Sequence, residues 1–358
     1  MVRLLVGIER PTDVRRLLLP RYFLSDDSLP AQMVGLYIFQ TMESVMLNQN
    51  TLERLQLNLG TDIFGLVGNT PLVSLRRVAA HVHPVQVFAK AEWFNPSGSV
   101  KDRPAREIIL AAERAGLLTP DKILLDATSG NMGIAYAMLC AARGYRVKLA
   151  IPENASPERI KILRAYNADI VFTDATEGAD GAIRKAREIV ATDPGRYFYA
   201  DQYSNPANWQ AHYNTTGIEV WKQTHGEITH WVAGLGTSGT FVGSSRRLRE
   251  FNPQVQLIAA QPDAPFHGLE GLKHYTTAMV PSIYDASLAD AQVTVSTEEA
   301  HAMVKRLARE EGLFVGVSAG AAAVAAIRVA EQLRAGIVVT VFPDAGFKYL
   351  SDRFWEES

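Results

Sequence analysis

The sequence of 358 residues predicts an α/β fold in which mostly parallel sheets are covered by helices on both faces. Short apolar runs alternate with segments of helical length from about residue 61 onward. The runs are almost purely apolar, which is typical of parallel strands that are buried on both faces. The length, with 47% hydrophobic and 21% charged residues, suits two such lobes, each with its own core.

Each predicted strand is a short apolar run bounded by turn formers. In chain order the strands are Val85–Glu92, Lys122–Asp126, Val147–Pro152, Asp169–Thr173, His230–Ala233, Gln256–Gln261 and Gly336–Phe342. The predicted helices are Pro104–Ala115, Asn131–Arg143, Pro157–Tyr166, Gly178–Thr192, Val242–Phe251 and Ala321–Arg334. Because loops at the carboxyl ends of parallel strands lead into helices at one edge of the sheet, we expect binding residues there.

Charge and cysteine content exclude several classes of function. The formal net charge of −2 provides no field for nucleic acid or an anionic membrane, so we expect neither partner. The single cysteine, Cys140, excludes an intrachain disulfide and a thiolate metal cluster, and we predict no metal site. Its apolar surroundings favour a buried small side chain over a nucleophile. This usage suits the reducing cytoplasm.

Residues 1–60 differ in composition from the rest of the chain. Their apolar patch at residues 33–39 is too short to span a bilayer and too far along the chain for an ordinary signal peptide. A cytosolic extension explains the segment, as does an upstream start with Met42 or Met46 as the true first residue. We predict no chemistry in it.

A lysine at a loop-to-helix junction is the first candidate catalytic residue. Asn95–Pro104 reads Asn-Pro-Ser-Gly-Ser-Val-Lys-Asp-Arg-Pro, with loop formers before the lysine and a proline that suits the first turn of a helix. Held at this junction, Lys101 can become an aldehyde-capturing amine if its neighbours lower its pKa. Taken alone, the motif is explained equally well by a solvated lysine.

A polar loop follows the predicted strand that ends at Asp126. Thr128, Ser129 and Asn131 surround the start of a helix, whose free backbone N–H groups suit a carboxylate. The alternative is a helix cap, which would account for one polar residue in this loop but accounts less well for several of them in a row.

Two further loops lie between predicted strands and helices. Gly234–Thr240 reads Gly-Leu-Gly-Thr-Ser-Gly-Thr, a pattern that suits a phosphate but lacks the Gly-Lys-Ser/Thr ending of a nucleotide P-loop. It also departs from the dinucleotide fingerprint, and a bare turn explains it as well. In Gly316–Ala321, the one polar side chain is Ser318, whose hydroxyl can bond a ring nitrogen.

Together these loops predict a pyridoxal phosphate site. They supply a reactive lysine, a phosphate receptor without a magnesium pattern, a carboxylate loop and a serine for the ring nitrogen. A neutral partner for that nitrogen moderates the electron sink, which favours β-elimination or β-replacement over transamination.

The sequence resembles the cysteine synthases of the fold type II pyridoxal phosphate enzymes, and the B-type synthases most closely. The resemblance extends from Gly68-Asn69-Thr70-Pro71-Leu72-Val73 to Pro343–Ser351 and includes Asp201–Asn208 and the loops above in family order. It implies two α/β/α lobes of the tryptophan synthase β type. It also implies an enzyme that makes L-cysteine or S-sulfocysteine from O-acetyl-L-serine or O-phospho-L-serine plus sulfide or thiosulfate, through an aminoacrylate, and a homodimer.

The resemblance assigns a role to each motif. Lys101 would hold the cofactor aldehyde as a Schiff base and later move the α-proton, Asn131 would bond its 3′ oxygen, and Ser318 its ring nitrogen. The phosphate would be held by Gly236, Thr237, Ser238, Gly239 and Thr240. The substrate carboxylate would be bound by Thr128, Ser129, Met132 and Gln202.

The resemblance also divides the chain into lobes. Residues 95–210 would form a smaller mobile lobe that closes on the substrate, while residues 61–94 and 211–351 would form the larger lobe. Residues 1–60 would be an extension. Met132 replaces the usual threonine of the carboxylate loop, which places donor preference or carboxylate affinity in question. Ala319 replaces a common hydroxyl residue, and we expect little effect from this change.

The loop at residues 267–281 is the candidate region for substrate selection. B-type synthases carry an Arg-rich sequence there, and Lys273 and His274 stand at matching places. A solvated surface charge is the more frequent explanation for such residues. Our hypothesis is that Lys273 or His274 tunes the choice of acceptor. Arg246 also has two explanations: it contacts a charged donor, or it is a charge on the face of a helix.

Three alternatives remain open. A serine or threonine dehydratase shares fold and cofactor, but its lysine motif typically reads Ser-Phe-Lys-x-Arg-Gly. A haem-bearing cystathionine β-synthase is disfavoured because residues 1–60 contain no cysteine and no regulatory domain pair follows Ser351. A catalytically weak homologue that serves as a binding partner is kept open by Met132.

Overall fold

The computed structural model describes residues 61–128 and 130–356. The interpretation of residues 1–60 and the role of Ser129 therefore concern positions outside the described residues.

Two sheets organise this part of the chain. The first is six-stranded, in the order β1-β2-β10-β7-β8-β9, and the second is four-stranded, in the order β5-β4-β3-β6. The strands of the first sheet are β1 Leu72–Ser74, β2 Gln86–Ala91, β7 His230–Gly234, β8 Gln256–Pro262, β9 Ala291–Val295 and β10 Ile337–Phe342. Those of the second are β3 Ile123–Ala127, β4 Arg146–Pro152, β5 Asp169–Thr173 and β6 Tyr197–Tyr199.

All strand pairs are parallel except β1 with β2. In the six-stranded sheet, Val339 of β10 pairs with Phe88 of β2 and Trp231 of β7, so β10 lies at the centre. In the four-stranded sheet, Leu125 of β3 pairs with Lys148 and Tyr199. The predicted α/β fold with mostly parallel sheets is confirmed.

Helices connect the strands. They are α1 Asp102–Arg114, α2 Asn131–Arg143, α3 Pro157–Ala165, α4 Gly178–Thr192, α5 Ala207–Asn214, α6 Thr216–Gln223, α7 Gly239–Phe251, α8 Thr297–Arg306 and α9 Val317–Glu331. Local chemistry explains their ends. The Ser156 hydroxyl caps α3, which has Pro157 in its first turn, and Ser296 with Glu299 forms a capping box for α8.

Each sheet lies within its own apolar core. Helix α9 is buried against β2, β7 and β10, and its small side chains allow a close approach to α8. A Cβ on Gly320 would overlap the carbonyl oxygen of Ala300. Cys140 of α2 is fully buried, and burial raises the pKa of its thiol, as expected of a structural side chain.

The predicted strands and helices are present, with ends that shift by a few residues. Helix α7 begins earlier than predicted, at Gly239, and α9 begins at Val317. The sequence interpretation missed β1, β6, β9, α5, α6 and α8. Strands β1 and β6 have three residues each, too few for a hydrophobic period to be visible. Within the described residues, every helix is too short or too polar to cross a membrane.

Candidate active site

The predicted site residues converge on one cavity of about 240 Å³. It lies at the carboxyl ends of β2, β3, β6, β7 and β10, and both sheets contribute to its walls. The lining includes Lys101, Thr128, Asn131, Met132, Gln202, Gly236, Thr237, Ser238, Thr240, Lys273 and Ser318. The expected gathering of the strand-to-helix loops is therefore observed.

Lys101 immediately precedes α1, as the sequence predicts. The turn before it is fixed by the buried Asp102 carboxylate, which accepts hydrogen bonds from the backbone N–H of Ser97 at 2.7 Å and from the Ser97 hydroxyl. Burial lowers the pKa of the Lys101 amine, and the negative charge of Asp344 partly opposes this effect. A lowered pKa increases the neutral fraction, which is the form that attacks an aldehyde.

The loop after β3 is stabilised by hydrogen bonds to the side chain of its own Thr128. Thr128 Oγ1 accepts hydrogen bonds from the backbone N–H groups of Gly130, at 3.0 Å, and Gly133, at 3.2 Å. Gly130 has φ of 143°, a conformation that disfavours other residues. The hydroxyl hydrogen of Thr128 is not used in these bonds and is available to a ligand. Gly130 is the N-cap of α2, and Thr128 supports the start of the helix through these bonds while also lining the cavity.

Two other members of the proposed carboxylate site have defined partners. Gln202 donates from Nε2 to the Ala127 carbonyl oxygen at 2.6 Å, so one amide hydrogen serves the loop itself. Met132 is 1% exposed and packs into the core of the four-stranded sheet while also lining the cavity. Met132 therefore gives this part of the wall an apolar surface.

The glycine-rich loop after β7 has little space for side chains. A Cβ on Gly236 would overlap the carbonyl oxygen of Gly271, and a Cβ on Gly239 would overlap Asn208 Oδ1. Ser238 adopts φ of 65°, and its buried hydroxyl lies beside the hydroxyl of Tyr275. The loop closes tightly at the start of α7, where free backbone N–H groups attract negative charge, so it suits an anion.

Two side chains from α5 support this loop. Asn208 Nδ2 donates to Thr237 Oγ1 at 3.1 Å, and His212 Nε2 lies 3.3 Å from Thr240 Oγ1. Burial lowers the pKa of His212 to about 3, so its ring is neutral at physiological pH. The sequence interpretation missed both residues, although Asn208 belongs to a motif that it quoted.

Ser318 lies in the first turn of α9 and is 5% exposed. It borders the cavity together with Lys101 and the glycine-rich loop. The structure thus brings together an amine, an anion receptor at the start of α7 and a neutral hydroxyl. These are the groups that pyridoxal phosphate requires for its aldehyde, its phosphate and its ring nitrogen, so the residues present fit that cofactor.

The expectation that Lys273 is a solvated charge is wrong. Lys273 is buried at 9% exposure and donates from Nζ to Asp180 Oδ1 at 2.9 Å. Its ammonium also lies 4.8 Å from the centre of the Tyr203 ring. The sequence interpretation favoured a solvated side chain because loop charges usually are solvated, and Asp180 lies 93 residues away in the chain, where no local signal reveals it.

The other two candidate cations lie elsewhere. His274 is not among the residues that line the cavity, and its Nδ1 lies 2.9 Å from Thr277 Oγ1. Arg246 lies on α7, pairs with Asp285 at 3.1 Å and stacks on Trp209. Arg246 does not line the cavity either, which favours its interpretation as a charge on the face of a helix.

Comparisons with known proteins identify the family of this chain. Residues 63–344 match the family model described as pyridoxal-phosphate dependent enzyme. The chain is 50% identical over 301 residues to a cysteine synthase of Aquifex aeolicus, covering 82% of this chain and 92% of that protein. It is 42% identical over 285 residues to cysteine synthase B of Escherichia coli, covering 80% and 93%.

Solved structures agree as well. The crystal structure of a cysteine synthase from Entamoeba histolytica has a TM-score of 0.79 and 33% identity, and the match covers 84% of this chain and 92% of that chain. The predicted resemblance to fold type II enzymes and to the B-type synthases is confirmed. The chain belongs to the cysteine synthase family of pyridoxal-phosphate dependent enzymes, and pyridoxal phosphate is its cofactor.

Proposed function

We propose that this protein makes L-cysteine by β-replacement, with O-acetyl-L-serine as donor and sulfide as acceptor. In this reaction hydrosulfide replaces the acetoxy group at Cβ, and acetate leaves with the bonding electrons. The observation that carries the proposal is the convergence of Lys101, the glycine-rich loop and Ser318 on one cavity. The relatives that are named cysteine synthases support the same reaction.

Bound pyridoxal phosphate supplies an electron sink that acidifies the α-proton of an amino acid and assists loss of a β-substituent. The side chain of Lys101 provides the amine that holds the aldehyde, and as a neutral amine it removes the α-proton and later returns it. Its lowered pKa favours this role. Ser318 offers a hydroxyl instead of a carboxylate to the ring nitrogen, which limits the sink and favours replacement at Cβ.

The substrate carboxylate is proposed to bind at the loop after β3, to which Thr128, Ser129, the backbone of Met132 and Gln202 are assigned. Support comes from the free hydroxyl hydrogen of Thr128 and the start of α2, where N–H groups attract an anion. Gly236, Thr237, Ser238, Gly239 and Thr240 are proposed to hold the phosphate. Closure of residues 95–210 over the substrate would exclude water from the reacting atoms.

Acceptor choice, assembly and location belong to the same proposal. Lys273 lies in the cavity wall, so of the two predicted tuning residues it is the better placed. With O-phospho-L-serine or thiosulfate, the same chemistry would give cysteine or S-sulfocysteine. We further propose a homodimer in the cytoplasm, which the single buried cysteine suits.

The proposal is tested by a matrix of donors and acceptors with the purified holoenzyme. Donors are O-acetyl-L-serine, O-phospho-L-serine and L-serine, and acceptors are sulfide and thiosulfate. We expect cysteine and acetate in equal amounts from O-acetyl-L-serine and sulfide. Pyruvate and ammonia from L-serine, without cysteine from any donor, would instead identify a dehydratase. A holoprotein that turns over none of these pairs would support the catalytically weak homologue.

A further inference from the structure

We propose that Asp344 and Lys348 are positioning residues that fix the orientation of the Asn131 carboxamide in the active site. The inference rests on the proposed function only in that Asn131 faces the bound cofactor. Neither Asp344 nor Lys348 was assigned a role from the sequence, although both lie in the motif at residues 343–351.

The first support is the opposite charge of the two partners. Asn131 Nδ2 donates to Asp344 Oδ2 at 2.7 Å, and Lys348 Nζ donates to Asn131 Oδ1 at 2.8 Å. A carboxamide is nearly symmetric in shape, so its two orientations usually compete. Here a rotation by half a turn would place oxygen against a carboxylate and NH₂ against an ammonium. Both hydrogen bonds would become repulsions, so one orientation is selected.

The second support is that both partners are themselves immobilised. Asp344 is fully buried, and its Oδ2 also accepts a hydrogen bond from the Tyr349 hydroxyl at 2.7 Å. Lys348 is fully buried as well, and it donates a second bond to the Gly98 carbonyl oxygen at 3.3 Å. Charged groups that are fixed in this way hold their partner more firmly than neutral, mobile ones.

The third support is what the selected orientation leaves available. Asn131 lines the cavity, and only one of the two hydrogens on Nδ2 is used by Asp344. The second hydrogen can be donated to a ligand in the cavity, whereas the opposite orientation would present an acceptor there. Asn131 is thereby set as a donor, the role required for the cofactor's 3′ oxygen.

Asp344 also acts on the proposed catalytic amine. Burial lowers the pKa of Lys101, and the negative charge of Asp344 opposes that effect. A change at Asp344 would therefore disturb both Lys101 and Asn131. Lys348 is the cleaner residue to change, because it donates to Asn131 and is not among the groups that shift the pKa of Lys101.

A double-mutant cycle on cofactor binding tests the proposal. Lys348→Met, Asn131→Ala and the double variant are prepared as full-length apoprotein and titrated with pyridoxal phosphate, with the dissociation constant and the visible absorption maximum as readouts. We expect Lys348→Met to weaken binding by about tenfold and to shift the band. In the Asn131→Ala background the same change should alter binding by less than about twofold. Lys348→Arg should restore the parent spectrum.

The cycle separates positioning from general structural damage. A Lys348→Met effect that persists at full size without Asn131 would overturn the proposal, as would a variant with parental affinity and spectrum. If Lys348→Met does not fold, Lys348→Ala enters the same cycle. Because the readout is cofactor binding, a failure to make cysteine would refute the proposed reaction without deciding this inference.

Discussion

Arg103 and Glu92 form a two-point ion pair in the interior, with Nε 2.7 Å from Oε2 and Nη2 2.8 Å from Oε1. Both side chains are fully buried. Glu219 accepts two further bonds from the same guanidinium, at 2.7 and 2.8 Å. Since Arg103 lies two residues after Lys101, this network anchors the start of α1 and with it the proposed catalytic lysine.

Removing one member of the network should be costly. We expect Arg103→Ala to lower the free energy of unfolding by about 3 to 5 kcal/mol, because the fully buried Glu92 carboxylate loses its ion-pair partner, whereas Glu219 keeps Lys90 at 2.6 Å. Urea unfolding of the holoprotein measures the loss. Arg114→Ala is the matched control, since Arg114 pairs with Glu107 at the surface and should cost less than about 1 kcal/mol. Equal losses in the two variants would contradict this view of the network.

The glycine-rich loop should not tolerate a methyl group. Gly236→Ala places a Cβ against the carbonyl oxygen of Gly271, so the loop must move away from the phosphate. We expect the dissociation constant of pyridoxal phosphate to rise by at least about tenfold. Gly195→Ala is the control, because the nearest atom to its Cβ would be Asp193 Oδ1 at 3.8 Å. Unchanged affinity in Gly236→Ala would count against this loop as the phosphate site.

His212 should make stability depend on pH. Its pKa falls from an ordinary value of 6.5 to about 3 in the folded protein because it is buried. The unfolded state therefore binds a proton more readily, and stability that is present above pH 6.5 is lost as the pH falls toward 3. When the pH is lowered from about 8 to about 5.5, this one residue should lower the free energy of unfolding by about 1.4 kcal/mol.

The contribution of His212 is measured as the difference in urea unfolding free energy between the two pH values. In His212→Gln this difference should shrink by about 1.4 kcal/mol. His225→Asn, at an exposed position, should keep the parental difference. A parental difference in His212→Gln as well would refute the assignment.

The ion pair of the buried Lys273 with the partly exposed Asp180 predicts how acceptor preference responds to charge. Lys273→Ala leaves the Asp180 carboxylate without this partner beside the cavity, which should repel the thiosulfate dianion more than hydrosulfide. We expect the ratio of thiosulfate to sulfide activity to fall by about fivefold. Asp180→Asn should raise the ratio, and His274→Ala, outside the cavity lining, should leave it within about twofold. An unchanged ratio of thiosulfate to sulfide activity in Lys273→Ala would refute the tuning hypothesis.

The parts of the site that were predictable depend on local chemistry. Lys101 stands between loop formers and a proline, and the glycine-rich loop and Ser318 follow apolar runs. Turn and helix signals act over a few residues, so the sequence alone places these groups at strand ends.

The parts that were missed depend on partners far apart in the chain. Asp344 meets Asn131 across 213 positions, and Lys273 meets Asp180 across 93. No periodicity or turn signal encodes such pairs. The same reasoning explains why short strands such as β6 escaped prediction, since their pairing with β3 defines them.

The most direct test of the central claim is to locate the covalent attachment of the cofactor. Borohydride reduction of the holoenzyme makes the bond between the lysine nitrogen and the cofactor permanent, and peptide mass mapping then identifies the residue. Lys90 and Lys348 are buried lysines close enough to the start of α1 to serve as internal comparisons. We predict the added mass on the peptide that contains Lys101. Its appearance on Lys90 or Lys348, or on no lysine, would contradict the account.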